Sequence, residues 1–216
     1  MAITFSEMKE KVIRVLGDIV VGGSSGGDPT HGETFDALLL KDGIHAALDA
    51  ITIRRWKPSS LDVDGGSDSE SLPDDLIDVE AVLDITQNMF LERVSMQATR
   101  GLAQGFYLYP SGTITFTSVL GDDGATVYYS AYWAKPEDDE ETLETPDIAT
   151  TALTMFAASY CLLNSASQAS SIRQFGTKVD SGKPTDNPLE QSSTYFMKRF
   201  EIELQRIPPS LKGMSI

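Results

Sequence analysis

One cysteine and two histidines are all that this 216-residue sequence offers of the side chains most used as nucleophiles, general bases and soft metal ligands. Cys161 has no partner for an intramolecular disulfide, and its place inside an apolar run points to buried filler. His31 falls in a loop and His45 on a helix, where a lone imidazole is ordinarily solvated or satisfied internally. No Gly-x-Ser-x-Gly, paired-cysteine, His-Glu-x-x-His or dinucleotide fingerprint occurs, so the sequence predicts no enzyme, no cofactor and no metal. Basic side chains are scarce as well. There are 17 Lys plus Arg against 32 Asp plus Glu, a formal charge of -15 and a pI near 4.4. Such a surface repels phosphates and excludes a DNA reader, although DNA could slide past it without adhering. Residues 1–10 lack the basic start and apolar centre of a secretory signal, which predicts synthesis in the cytoplasm.

The chain is 41% hydrophobic, enough to bury a sizeable core. Its longest uncharged stretch, Ile148 to Ile172, contains no Asp, Glu, Lys or Arg, and predicts a helix from Pro146-Asp147 to a stop at Gly176 that is buried on most of its surface. Its many Ala and Ser residues let other helices approach closely. Thr150, Thr151, Thr154, Asn164 and Gln168 make it too polar for a membrane span.

In chain order, Thr4 and Glu7 form a capping box ahead of Phe5, Met8, Val12, Val15, Leu16 and Ile19 at helical spacing. The glycine-rich loop Gly22 to Gly27 is not followed by Lys-Ser or Lys-Thr and cradles no phosphate. A second helix is predicted over Thr34 to Trp56, stopped by Pro58. Residues 59–70 read as a polar acidic loop; their carboxylates resemble a calcium loop only faintly, without its order of ligands and glycine. Strands are predicted at Ile77 to Ile85, Phe90 to Met96, Phe106 to Tyr109, Thr113 to Val119 and Thr126 to Ala134. In the first, Ile77, Val79, Ala81, Leu83 and Ile85 alternate with Asp78, Glu80 and Asp84; the last carries a tyrosine-bearing face. Lys135 to Glu141 reads as a solvated acidic connector, and Asn187-Pro188 opens a final helix with the stripe Phe196, Phe200, Leu204 and Ile207. Beyond Pro208-Pro209, the apolar Leu211, Met214 and Ile216 suit a peptide arm that orders on a neighbouring protein, against the plainer reading of a frayed tail.

These elements predict an α+β protein: an antiparallel helical bundle of about four helices with an inserted small antiparallel β domain. The expected divisions are 1–58 and 145–207 for the bundle, 59–144 for the insert and 208–216 for the arm. Residue chemistry alone leaves two other functions open. One is a carbohydrate- or cell-surface-binding module on the aromatic face around Tyr128, Tyr132 and Trp133; the other is a hydrolase using a carboxylate pair.

The order of features resembles the head-to-tail adaptor, or connector, proteins of tailed bacteriophages. The matching pieces are the two N-terminal helices, Leu72-Pro73-Asp74-Asp75-Leu76 opening a strand, and Phe106-Tyr107-Leu108-Tyr109-Pro110. They continue with Val127 to Pro136, a tyrosine-rich strand ending at proline, and Pro146-Asp147-Ile148 opening an Ala-rich helix that reaches Tyr160. The glycine-rich loop and the polar insert Ser59 to Ser71 depart from the pattern. The resemblance implies a structural virion protein at the neck, made in the host cytoplasm. It would form a homo-oligomeric ring, usually of twelve copies, beneath the portal protein, with a tail or nozzle protein below. DNA would pass through its channel without specific binding, and no membrane would be involved. It also implies that the C-terminal arm, Pro208, Pro209, Leu211, Met214 and Ile216, docks on the portal.

Overall fold

A computed structural model describes residues 3–20, 37–95, 104–173 and 188–209. The described chain separates into two compact units, one within Met1–Arg55 and Trp133–Pro209, the other within Trp56–Tyr132.

The first unit holds the helices α1 (Phe5–Val20), α2 (Ala37–Thr52), α3 (Thr150–Arg173, preceded by a 3-10 turn at Asp147–Ala149) and α4 (Pro188–Arg206). The capping box forms as its chemistry requires. The Thr4 N–H donates to Glu7 Oε2 at 3.0 Å and the Glu7 N–H to Thr4 Oγ1 at 3.2 Å. Phe5, Met8, Val12 and Leu16 then fall on one buried face. α2 stops at Thr52, short of the expected Trp56. The Arg54 and Arg55 N–H groups both donate to the Ile51 carbonyl, closing the last turn, and Lys57 is held extended by Pro58. α3 is the hub, packing against α1, α2 and α4. Its buried residues, Ala152, Leu153, Ala157, Ala158, Cys161 and Leu162, spread around most of the helix, with Ala149 of the preceding turn buried beside them. At Gly43 of α2 an added Cβ would lie 3.2 Å from the Ala157 carbonyl oxygen and 3.3 Å from Cys161 Sγ, so this close crossing depends on a missing side chain. On the α4 side Ser159 and Ser193 clasp reciprocally, each hydroxyl donating to the other's carbonyl at 3.0 Å. Ala157 and Cys161 are about 160–200° around the helix from Ser159, so α2 and α4 occupy opposite faces of α3.

The second unit contains eight strands: β1 (Lys57–Val63), β2 (Ser69–Ser71), β3 (Leu76–Asp84), β4 (Met89–Phe90), β5 (Glu92–Arg93), β6 (Gly105–Tyr109), β7 (Thr113–Phe116) and β8 (Ala125–Ala131). They form two four-stranded sheets, ordered β1-β8-β3-β4 and β2-β7-β6-β5, that share one core of Val63, Val82, Phe106, Ile114, Phe116 and Val127 with neighbouring residues. The chain changes sheets between β1 and β2, β2 and β3, β4 and β5, and β7 and β8; the change from β4 to β5 is made at buried Leu91, whose N–H donates to the Val82 carbonyl.

The expected architecture of a helical bundle with an inserted small antiparallel β domain is therefore corrected. The chain is mixed α+β, with four α-helices among the described residues and two four-stranded sheets, and the β5–β6 pair is parallel. The unexpected strands, β1 and β2, fall largely within 59–70, which reads as a polar acidic loop because Ser-Ser-Leu-Asp-Val and its flanks have little β propensity. Seven in-register pairs with the Val- and Tyr-rich β8 hold this edge strand, where Pro58 is tolerated. The alternation expected in β3 is also broken. Register shifts between Leu76 and Asp78 and between Val79 and Ala81 leave Ile77 exposed while Val79, Val82 and Asp84 are buried. Asp84 tolerates burial because its carboxylate accepts the Gln87 N–H at 3.0 Å, shaping the turn in which Asn88 takes φ 50°.

Candidate functional site

The acidic run after β8 is exposed from Glu137 to Glu141, as a solvated connector should be, but within the first unit it is also strapped across α1 and α2. Trp133, Pro136, Leu143 and Thr145 are buried, and the Trp133 indole N–H donates to the Arg55 carbonyl at 2.7 Å. His45 Nε2–H donates to the Pro136 carbonyl at 2.8 Å and its ring stacks on Phe5. The first N–H groups of α1, which a helix leaves unpaired, donate to the strap: Phe5 to the Glu141 carbonyl at 2.8 Å and Ser6 to the Asp139 carbonyl at 3.1 Å. Placing Asp138 to Glu141 at the positive end of the α1 dipole adds a modest electrostatic attraction. Lysines complete the strap: Lys9 pairs with Asp139 at 2.6 Å, Lys41 with Glu137, and Lys135 with Asp49 at 2.8 Å. The hydrogen bond and charge of Lys41 hold the Glu137 carboxyl below its ordinary pKa, and Glu137 raises that of Lys41 in return. The remaining carboxylates of Asp138 and Glu140 lie exposed along the strap.

On the other side of α3, α4 buries Ser193, Phe196, Phe200 and Glu203, with Ile207 buried just past its end. Its outward stripe carries Tyr195, Lys198, Arg199, Ile202 and Arg206. The largely buried Glu203 carboxylate is 2.9 Å from Arg206 and 3.8 Å from Arg199, so two guanidiniums share one negative charge, and exposed Glu201 lies three residues from Lys198 on the same side of the helix. Beside it an open groove of about 500 Å³ has Val15, Met155 and Phe196 along it, with Tyr195 and Arg199 among its lining.

The α4 end is firmly held. Arg54 Nε donates to the Ile207 carbonyl at 3.4 Å, and the chain departs through Pro208 and Pro209, both exposed. The other residues of the anticipated docking arm, Leu211, Met214 and Ile216, lie outside the described residues, as do His31, Gly176 and the glycine-rich loop. In the second unit Tyr128 and Tyr132 are exposed, but Trp133 is buried in the first unit, so the aromatic trio expected for saccharide stacking is reduced to two tyrosines. Neither the strap's attachments nor the outward stripe of α4 belongs to the sequence expectation. The strap's partners named above are 78 to 136 residues away, from Trp133 with Arg55 to Glu141 with Phe5, beyond any local pattern. The stripe does have a signal, the 4-3-4 spacing of Tyr195, Arg199, Ile202 and Arg206 opposite the apolar residues.

Among the described residues no group of three or more His, Cys, Asp and Glu side chains could hold a metal ion, and no helix is long and apolar enough to cross a membrane. No curated protein matches the chain. The family model described as "SU10 adaptor protein" matches residues 3–191, nearly the whole of both units. The chain therefore belongs to the SU10 adaptor protein family and is a phage adaptor, a structural component of the virion.

Proposed function

We propose that this protein assembles as a ring, of twelve copies, beneath the portal and joins the DNA-filled head to a tail or nozzle protein. DNA leaves through the ring's channel without specific binding, and the work is structural rather than catalytic. The observation that carries this reading is the family match over residues 3–191. Charge supports it: -15 per copy, multiplied around a ring, keeps exiting DNA from adhering to a channel wall.

Portal docking falls to residues 208–216 in this reading. Ile207 is buried and its carbonyl is held, whereas Pro208 and Pro209 are exposed, so the anchored helix ends there and the docking role passes to the residues beyond it. To test this, the purified full chain and a version truncated after Pro209 are each mixed with the portal protein encoded beside it and imaged by electron microscopy. The full chain is expected to add a ring to the portal and the truncated one to leave it bare. Equal binding by the truncated chain removes the arm from the account; binding by neither removes the adaptor ring.

A further inference from the structure

In a chain of charge -15, the outer face of the β2-β7-β6 ladder carries no charge of its own. These strands turn Phe106, Ile114 and Phe116 to the core, so the alternate positions face away from it. The register sets them in two rows: Tyr109, Thr113 and Ser71 beside the hairpin, and Tyr107, Thr115 and Ser69 behind it. All six side chains end in a hydroxyl. The two rings meet edge-on with centroids 5.2 Å apart, and Tyr109 is 38% exposed. No Lys or Arg occurs in the three strands, and Arg93 of β5 is paired with Asp78 at 3.1 Å. Acids stand around the face. Asp68 accepts the Ser69 hydroxyl at 3.1 Å, Glu92 lies opposite Gly105 one row further along, and Asp74 and Asp75 follow Ser71. Glu70, between the two serines, pairs with Ile114 on the core side and accepts the Ser71 N–H at 3.2 Å.

We propose that this face binds neutral carbohydrate. Its chemistry selects that ligand. A tyrosine offers an apolar plane with a polar tip, and a sugar ring offers an apolar face edged with hydroxyls, so stacking and hydrogen bonding are satisfied together. Protein hydroxyls that both donate and accept suit a ligand whose own hydroxyls do the same, and the contact leaves few of either unpaired. A protein partner would find no aliphatic side chain to bury here and no charge to pair. Phosphate- or sulfate-bearing ligands would meet no cation and a rim of carboxylates, which repels them. The ladder holds the six groups in place before the ligand arrives, so little ordering is needed on contact. This is not the tyrosine-bearing face of β8. Around Tyr128, Thr126 donates to Asp62 at 2.8 Å and Ser130 to Glu80 at 2.6 Å, so that face is acidic. The proposal is independent of the ring reading above.

The test screens the purified full chain against neutral oligosaccharides of glucose, galactose, mannose and N-acetylglucosamine, with sialylated and sulfated ones beside them. The best neutral ligand is then titrated by calorimetry. Wild type should bind at least one neutral oligosaccharide, and acidic ones at least about tenfold more weakly. Tyr107→Ala with Tyr109→Ala should weaken binding at least about tenfold, whereas Tyr107→Phe with Tyr109→Phe, which keeps the rings, should stay within about threefold of wild type. Tyr128→Ala should bind as wild type does. If wild type binds no neutral oligosaccharide, if the alanine pair binds as well as wild type, or if Tyr128→Ala alone removes binding, the assignment is wrong. Should the alanine pair lower the melting temperature, Ser71→Arg with Thr113→Arg obstructs the same face without touching the core. That pair should also weaken binding about tenfold, and wild-type affinity overturns the proposal. Every variant should still add a ring to the portal wherever wild type does. A folded alanine pair that loses the ring, beside a wild type that binds no sugar, assigns the face to a protein partner instead.

Discussion

Cys161 shows how little a residue's chemistry means without its surroundings. It lies fully buried between α2 and α3, its thiol 3.7 Å from the Leu39 carbonyl, and burial, aided by the negative charge of Asp42, pushes its pKa up to about 12. The folded thiol stays neutral where an unfolded one, of ordinary pKa 9.0, ionises, so its linkage removes stability as pH rises above that value. The native protein is expected to resist a thiol-reactive disulfide reagent at pH 8 and to be fully modified in guanidinium. Fast native modification would mean that the α2–α3 seam opens. Gly124 makes a similar point through geometry. It takes φ 72°, and a Cβ there would lie 2.0 Å from the Val63 carbonyl oxygen, a constraint that Gly121-Asp122-Asp123-Gly124 announces as a turn without revealing what approaches it.

At the scale of elements, α3 and β1 represent opposite degrees of legibility. The charge-free run predicts a buried helix because helix formation needs only local hydrogen bonds and burial forbids unpaired charge; α3 starts within a turn of the expected place. Which neighbours it takes depends on where small side chains meet, and Gly43 decides one of them. Gly43→Val should lower unfolding stability by about 1–3 kcal/mol, read as a fall in the denaturant midpoint, since the methyls must enter space held by Ala157 and Cys161. An unchanged midpoint would show that α2 can move aside without loss. β1 has no local signal, because its ordering comes from β8, more than sixty residues further along. In β3, polar and apolar residues alternate in sequence, yet two register shifts turn the strand so that Val82 and Asp84 point inward.

At the scale of the whole chain, the distribution of charge matters more than its total. The acidic run between β8 and α3 is tied down by lysines from α1 and α2, and the tie between Lys41 and Glu137 titrates in a defined direction. Glu137 has a lowered folded pKa, so its contribution is complete above the ordinary value of 4.5 and is lost as pH falls below it. Lys41 has a raised one, so its contribution persists up to its ordinary 10.5 and fades only above that. Limited proteolysis of the strap should therefore be faster for Glu137→Gln than for wild type at pH 7, with the difference closing as pH drops below about 4.5. Equal cleavage of both at pH 7 would show that backbone bonds and buried Pro136 alone hold the strap.

By itself, the sequence determined whatever depends on near neighbours along the chain. The Thr4–Glu7 cap, the burial of α3, the stripe of α4, the β6–β7 hairpin around Pro110-Ser111-Gly112 and the poverty of catalytic side chains come from spacing, local hydrogen bonding and composition. Tertiary structure alone decided which distant segments meet: the pairing of β1 with β8, the repeated crossings between the two sheets, the inward turn of Asp84 and the strapping of the acidic run onto α1 and α2. The physical reason is that a strand edge or a carboxylate is satisfied equally well by many partners. The choice among them is made by the packing of the whole chain, and it leaves no periodic trace in the segment chosen.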